Sequence, residues 1–550
     1  MRKRKFWLVL GATCAAMGLT ASTAIAATDA TGPQATAAAG GTLIFGADQE
    51  PRTLNTFTVE GNALWGSLVL QPVITFATKY NNRGKLIMDL MENQTLNSEK
   101  PQVVTYRLKA AAKWSDGKPV SADDMIFTYN RIMDAKNTIA SRVGYEDFQR
   151  IQKVNAKTVR VTYKKPFAAW ASLWGRILPS HAAGGIDAGN FDQSWRNGPP
   201  LANGPFRLSK WDRGSQMVLT ANPTYWAKKA SVNSIVFRFI QDTNTQFQAM
   251  RGGEVHIINP QPQQQIADIK KQANINVQQG SQFAWEHVDF QLGAGGHPAL
   301  KKKFVREAIV TGINRQLIRQ VAYGQVAPNL PPLNNVIFKN FQDEYVSHKY
   351  QPHGFSQKKA ISLLRANGCT GGPATPSARN TEIYSCPGVG KLSFDFWSTA
   401  GNQSREISFQ VMQAQLRSVG IELKSRFTLT ALTVTLPTRN WDIMLYAWVG
   451  SPEPAGSVNI HRCGGTQNHQ NYCSRPASRL LLKSNETLNP AARTKLLNQA
   501  DQLIASHVVT LPLFARPAFL VHQKRLGGVL LNPTNTSVTW NTQDWTFRAG

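Results

Sequence analysis

Few residues in this chain are spaced for covalent chemistry. Four cysteines, Cys369, Cys386, Cys463 and Cys473, lie as two near pairs, and His461 and His469 flank the second pair. Two chemistries fit: a disulfide within each pair, or a metal held by the second pair and its histidines. An even count in an exported chain argues for Cys369–Cys386 and Cys463–Cys473 bridges. The chain has no Cys-x-x-Cys, and the spacing fits no zinc pattern. It also has no Gly-x-Ser-x-Gly, no His-Glu-x-x-His and no Cys/His pairing in a catalytic context. The remaining histidines are scattered. The reading is a protein that is not an enzyme, with no cofactor and no metal site.

Non-covalent binding is better signposted. Trp441 to Asn459 reads WDIMLYAWVGSPEPAGSVN. Its apolar run from Ile443 to Val449 predicts a strand buried on both faces. Pro452 and Pro454 cannot continue a central strand, so the chain must leave the sheet there. In α/β sheets, ligands collect where strand ends meet loops. Trp448 at that lip offers a flat surface for stacking on a ligand.

The elements that must position this loop alternate between strand and helix. Gly41 to Ala47 predicts a short strand and Val103 to Leu108 another. Lys113 to Pro119 is a tight turn centred on Asp116-Gly117. Ser121 caps a helix, with Asp124 at the capping-box position and Met125, Tyr129, Ile132 and Met133 on its buried face. Further on, Val305, Ala308, Ile309 and Gly312 share a helical face. Asn314 caps a second helix carrying Leu317, Ile318 and Val321, ended by Gly324. Ser356 caps a third. Phe409, Met412, Leu416 and Val419 form a helix stopped by Gly420, followed by an alternating strand from Ile421 to Phe427. Asn489-Pro490 opens a last long helix. The pattern is α/β.

Length and address bound the function. The 550 residues exceed one ordinary domain, so two or three lobes are expected. Arg2 to Lys5 form a basic segment, Phe6 to Leu19 an apolar one, and Ala24-Ile25-Ala26 a small-x-small cleavage site. Residues 1–26 thus read as a signal peptide cleaved near Ala26, and 27–40 as a flexible leader. Cys14 lies inside the apolar segment, with Gly11 where a lipobox wants a large aliphatic residue, which favours a product without a lipid anchor. The formal charge is +28, falling to about +24 without the four basic signal residues. Export makes nucleic acid an unsuitable partner, and a diffuse positive field suits an anionic envelope or acidic ligands.

One stretch, YRLKAAAKWSDGKPVSADDMIFTYNRI, resembles the signature of the extracellular solute-binding proteins of family 5, the peptide, oligopeptide and nickel receptors of ABC importers. The resemblance runs along nearly all of the chain after the leader. Asn203-Gly204-Pro205-Phe206 with Asn222-Pro223-Thr224-Tyr225-Trp226, Ile235 to Ile258, Val305 to Ile318, and WDIMLYAWVGSPEPAG follow the family pattern in order. It implies a two-lobed α/β fold of the periplasmic-binding-protein type, with an extra subdomain in the first lobe and a ligand cleft between lobes. The expected boundaries are 41–288 for the first lobe, its subdomain at about 75–200, 289–511 for the second lobe, and 512–550 returning to the first. The crossings are expected near Val288–Leu292 and near Pro512.

The resemblance also implies a site. Glu60, Gly61 and Asn62 match the first-lobe segment that contacts ligand, Asn259 ends a strand in a similar place, and Tyr145 matches the subdomain wall. Trp448, Val449, Gly450 and Ser451 match the second-lobe strand and loop. Peptide receptors of the family carry an Asp after that Trp, paired with the ligand's α-ammonium. Here Gly450-Ser451-Pro452 supplies none, and Glu60 and Glu453 are the nearest acids in the matched motifs. The expected protein is a monomeric receptor at the cell envelope or outside it, with a peptide or peptide-like ligand and ABC permease subunits as partners. A non-peptide solute such as a glycan or chelated metal, or a signalling partner, is the alternative.

Overall fold

The computed structural model describes residues 37–38, 40–182, 190–351 and 354–548. The signal-peptide segment with Cys14, and most of the leader, lie outside them. The last leader residues do not stay unpaired: Ala37–Ala38 pair antiparallel with Phe547 and Arg548. Backbone groups alone make such a ladder, so the bland composition does not forbid it.

Among the described residues, ten strands form the central sheet. In chain order they are β1 (Thr42–Ala47), β2 (Phe206–Asp212), β3 (Gln216–Ala221), β4 (Ser234–Phe239), β5 (Ile257–Ile258), β6 (Ile275–Phe290), β7 (Ser393–Thr399), β8 (Glu422–Thr428), β9 (Ile443–Trp448) and β10 (Thr510–Gln523). Their spatial order is β8-β7-β9-β6-β10-β5-β1-β4-β3-β2. The long antiparallel pair β6 and β10 is the seam, and every residue of β10 is buried. Parallel pairs flank it on both sides: β1 with β4 and β5, and β7 with β8 and β9.

The two largest apolar clusters among the described residues sit at the two ends of this seam, so the fold is two-lobed. One gathers Leu43, Phe45, Phe237 and Ile257 with Leu520, Leu526 and Trp545 from the far end of the chain. The other runs from Val288 and Phe290 through Phe394, Phe409 and Leu445 to Leu511 and Phe514. The chain leaves the first lobe along β6 and comes back along β10. The ladder between them is interrupted at two places, between Ser281 and Trp285 and between Glu286 and His287. Pro517 and Pro512 stand at these breaks. Proline has no N–H to give a central ladder, so a bulge is where it is tolerated. The larger break lies N-terminal to Val288–Leu292, where the crossing was expected, and beyond Pro512 on β10. The strand continues past its irregularity, and an apolar pattern does not register a bulge.

Local signals act as they read. In the first lobe, α1 (Leu64–Leu70) follows the turn after β1, and α2 (Ala122–Met133) opens on the Ser121/Asp124 capping box. Asp124 is buried and also accepts from Trp114 Nε1 at 3.0 Å and Ser180 N at 2.8 Å, which ties the helix to the subdomain. The subdomain has a separate sheet of four strands, Met91–Glu99, Gln102–Leu108, Thr158–Tyr163 and Phe148–Asn155 in spatial order. The second lobe contains α3 (Lys303–Gly312), α4 (Arg315–Tyr323), α5 (Gln403–Arg417), α6 (Gly456–His461), α7 (Arg475–Asn485) and α8 (Pro490–His507). Asn314 and Asn489 cap α4 and α8 through their side chains. On α4 only Ile318 of the three expected core residues is buried; Leu317 and Val321 are exposed.

Both cysteine pairs are bridged, Cys369 to Cys386 and Cys463 to Cys473. Each closes a short loop, so each should remove about 3 kcal/mol of unfolded-state entropy. Replacing either pair by serines is expected to lower urea stability by about that amount. Equal urea midpoints for the serine variants and the parent chain would show that the bridges contribute nothing to stability.

Candidate functional site

The break in β6 makes the site. Residues 282–284 have no ladder partner and bow away from β10 opposite Arg516. The Phe283 N–H is satisfied instead by the Pro533 carbonyl at 3.1 Å. Gln282 and Ala284 then line a cavity of about 30 Å³ between the lobes. The first lobe contributes Asp48 just after β1, Leu64 and Trp65 at the start of α1, and Asn259 to Gln261 just after β5. The crossing strand contributes Arg516, and the second lobe Val449 and Gly450 just past β9. Leu531 to Thr534, with Ser537 and Val538, complete the wall.

A chain of polar contacts runs from this cavity through the seam. Asp48 accepts from Trp65 Nε1 and, at 2.9 Å, from the amide nitrogen of Gln261. The oxygen of the same amide accepts from Arg516. The Arg516 Nε is 3.4 Å from Glu286, which also takes two bonds from Arg405 of α5, both 3.1 Å. Arg405 reaches on to Thr399 Oγ1 at 3.1 Å. First-lobe, crossing-strand and second-lobe residues are thus joined in one network.

Burial sets the charges. Burial alone would raise the Glu286 carboxyl, but the Arg405 and Arg516 guanidiniums hold it below the usual value. Asp48 shows the opposite balance. Burial pushes its pKa up, and hydrogen bonds from Gln261 and Trp65 only partly offset this.

A second cluster lies behind the cavity. Trp448 is nearly parallel to His469 (5.9 Å between centroids, 12°) and to His287 (6.5 Å, 7°). Tyr446 donates to Asp289 at 2.7 Å, and His287 Nε2 is 3.5 Å from the same carboxylate. His461 is buried, with neither ring nitrogen hydrogen-bonded among the described residues. Burial pushes both His461 and His469 down to about 4.

The expected site residues separate. Asn259, Val449 and Gly450 line the cavity. Trp448 is in the histidine stack behind it, and the Ser451 hydroxyl accepts from Glu453 N at 3.2 Å. Glu60 is paired with Arg52 and Arg196 and does not reach the cavity. Gly61 is packed so closely that a Cβ there would lie 2.0 Å from the Asn55 carbonyl oxygen. Asn62 is exposed, and its N–H bonds back to Thr58. The turn's role in the cavity is to deliver α1, whose Leu64 and Trp65 face it. Tyr145 belongs to the subdomain core rather than to a cleft wall. It packs on Phe148 and Trp174, and its hydroxyl accepts from Trp174 N at 2.9 Å. Its core partners come partly from distant sequence, Trp174 above all, which the local pattern does not announce. Sequence reasoning missed Asp48, Trp65, Gln261, Glu286 and Arg516. The lone arginine in the apolar run TLPLFARPAFLV was the available signal.

The lobes also touch at their rims. Thr466 Oγ1 donates to the Ala140 carbonyl at 2.9 Å, Ala168 N to Asn485 O at 2.6 Å, and Lys165 lies 2.8 Å from Glu486. The arrangement is a closed one.

Two outcomes follow. Glu286→Gln leaves two buried guanidiniums without their anion and is expected to cost about 3–5 kcal/mol of stability. Urea unfolding measures it, and a loss under about 1 kcal/mol would mean that the network is not the cross-link described. The histidines act on the pH profile. Unfolded histidine titrates near 6.5, while His461 and His469 stay neutral in the fold down to about 4. Stability is therefore full above about 6.5 and falls as pH drops through that window, because the unfolded state binds the protons first. The His461→Leu variant should show a shallower fall in urea midpoint from pH 7 to 5, and an unchanged slope would remove His461 from the account.

Comparison with known proteins agrees with this fold. The family model for bacterial extracellular solute-binding proteins, family 5 Middle, matches residues 85–470. The oligopeptide-binding protein OppA of Mycobacterium tuberculosis is 26% identical over 490 residues, 87% of this chain and 80% of that protein. Among solved structures, the oligopeptide-binding protein AppA from Bacillus subtilis, in complex with a nonapeptide, superposes with a TM-score of 0.84 at 20% identity, over 94% of this chain and 100% of that one. The periplasmic EDTA-binding protein EppA gives 0.83 at 21% identity, over 96% and 100%.

Proposed function

This chain belongs to the bacterial extracellular solute-binding proteins of family 5, and we propose that it is the extracytoplasmic receptor of an ABC importer for a peptide or peptide-like solute. The observation that carries the proposal is the cavity, because its wall is assembled from both lobes and from the strands that join them. A ligand there contacts Asn259 on one side and Val449–Gly450 on the other, so binding and lobe closure are one event. Closure removes water and strengthens each polar contact to the ligand. It also gives a membrane permease a shape that differs between loaded and empty receptor. Export through the N-terminal signal, an envelope location and a monomeric state belong to the same reading. Among the described residues no helix is long and apolar enough to cross a membrane.

Gly450 limits how closely the loop after β9 packs on the neighbouring crossing strand, β6. A Cβ at this position would sit 2.2 Å from the Phe283 carbonyl oxygen on the crossing strand. The loop after β9 closes onto the bulge only because it presents a bare backbone there.

The volume favours a second reading. A cavity of about 30 Å³ is far below the roughly 300 Å³ at which small-molecule sites begin. A whole peptide enters only if the lobes move apart or the wall rearranges. A small polar solute demands less of either.

A thermal-shift series with pools of short peptides tests the first reading against the second. A pool at about 100 times its Kd should stabilise the chain by about 2.7 kcal/mol. No shift with any peptide pool, alongside a shift with small polar metabolites, would replace the peptide reading by the second. Gly450→Ala is expected to weaken ligand binding at least tenfold while the far-ultraviolet circular dichroism stays that of the parent. Undiminished binding would show that the close packing of this loop on β6 does not shape the cavity.

A further inference from the structure

We propose that the outer face of the four-stranded subdomain sheet binds a linear phosphodiester polymer of the cell envelope, of the poly(glycerol phosphate) type, and so retains the protein there. The proposal takes only the extracytoplasmic location from the reading above and does not depend on the solute.

Strand register fixes which residues share that face. Val104, Tyr106, Val159, Val161 and Tyr163 alternate along their strands on the inner face and are buried. The positions between them face outward. Across neighbouring strands Arg107 is opposite Thr158, Arg160 is opposite Thr105 and Gln152, and Arg150 is opposite Thr162. Each arginine is therefore two residues along and one strand over from the next. Arg107, Arg160 and Arg150 stand on one straight diagonal, and all three are exposed. Diagonal neighbours in a sheet lie about 7–8 Å apart.

Most of the charge on this diagonal is unmatched. At one end the Arg107 Nε is 2.9 Å from Glu92. Among the described residues Arg150 and Arg160 belong to none of the ion pairs of the subdomain. Arg150 instead meets the neutral amide oxygen of Gln152 at 2.8 Å. Lys153, on the same strand as Arg150, shows the contrast: it is paired with Asp123 of α2 at 2.6 Å. The helix covering the inner face supplies an acid, and the outer face leaves its guanidiniums to the surroundings. Cations held in a row repel one another, and a polyanion laid along them removes that repulsion.

Spacing selects the anion. A glycerol phosphate repeat has as many backbone bonds as two peptide residues, so it reaches about 7 Å when extended. Consecutive phosphates of one polymer strand then fall over consecutive arginines. A guanidinium suits each of them, because its planar fork meets a phosphate through two parallel hydrogen bonds. Thr105 and Thr162, between the arginines, offer hydroxyls to those of a polyol. A nucleic-acid strand has similar phosphate spacing, but its bases call for aromatic platforms. The outward rows of this sheet contain no aromatic ring.

The test uses the mature chain and lipid-free poly(glycerol phosphate) immobilised on a biosensor. Arg150→Gln with Arg160→Gln removes two phosphate contacts and is expected to weaken binding at least tenfold. The control, Lys301→Gln with Lys302→Gln, removes the same charge at exposed positions beside α3 and should change binding less than twofold. Arg150→Lys with Arg160→Lys keeps the charge without the fork and should fall between parent and glutamine variant. Glu92→Gln frees Arg107 and should tighten binding. Equal weakening by the lysine control would mean diffuse attraction and overturns the proposal. So would glycerol phosphate monomer competing as well as the polymer at equal phosphate, single-stranded DNA binding as tightly, binding only to phosphatidylglycerol vesicles, or no binding at all. Circular dichroism checks the fold of each variant, and if the glutamine pair does not fold, Glu92→Gln and the monomer competition decide. Thermal shifts with solute pools should be the same for parent and variants, so failure here leaves the solute-receptor reading standing.

Discussion

Glu286 between Arg405 and Arg516 is the contact on which the two-lobed arrangement turns. A carboxylate buried in a protein interior is tolerated only when its charge is matched at close range. Here the matching cations come from a second-lobe helix and from the opposite crossing strand. Removing either partner would strand a buried charge at a cost of about 3–5 kcal/mol. The cluster therefore ties a second-lobe helix to both crossing strands at one place. The bulge at 282–284 and the two prolines of β10 supply backbone that regular hydrogen bonding does not lock.

The bulge also explains where the cavity lies. A regular antiparallel pair would fill the space between the lobes with its own side chains. The bowed segment of β6 instead turns Gln282 and Ala284 to one side, and the Pro533 carbonyl satisfies the exposed N–H. First-lobe residues reach the gap because β1 and β5 end beside each other, placing Asp48 and Asn259 at adjacent strand ends. Second-lobe residues reach it because β9 pairs with β6 up to Trp448 and Trp285. Much of the cavity wall is made of strand ends, where the chain exits the sheet and its backbone groups lose their ladder partners.

The histidine stack is a different kind of feature. Trp448, expected as a surface for stacking on a ligand, is half-buried and lies nearly parallel to the His287 and His469 rings. Its role is to hold the strand that presents Val449 and Gly450. Burial holds the His469 imidazole neutral down to about 4, so it packs there at the expense of stability in acid.

The sequence alone was enough for whatever depends on neighbours within a few residues. The Ser121/Asp124 box, the Asn314 and Asn489 caps, the exit of β9 before Pro452 and the two nearby cysteine pairs were all legible, because each interaction closes over a short loop. Apolar periodicity and ordered motifs were enough for the α/β class and the family. The site was only partly legible. Asn259, Val449 and Gly450 could be placed because they follow apolar strands. Glu60 and Tyr145 could not be excluded from the cleft, since Arg196 and Trp174, which draw them elsewhere, are distant in the chain. Asp48, Glu286, Arg405 and Arg516 come from four separate segments. Neutralising buried charge is a non-local requirement, and only the tertiary structure decides which charges meet.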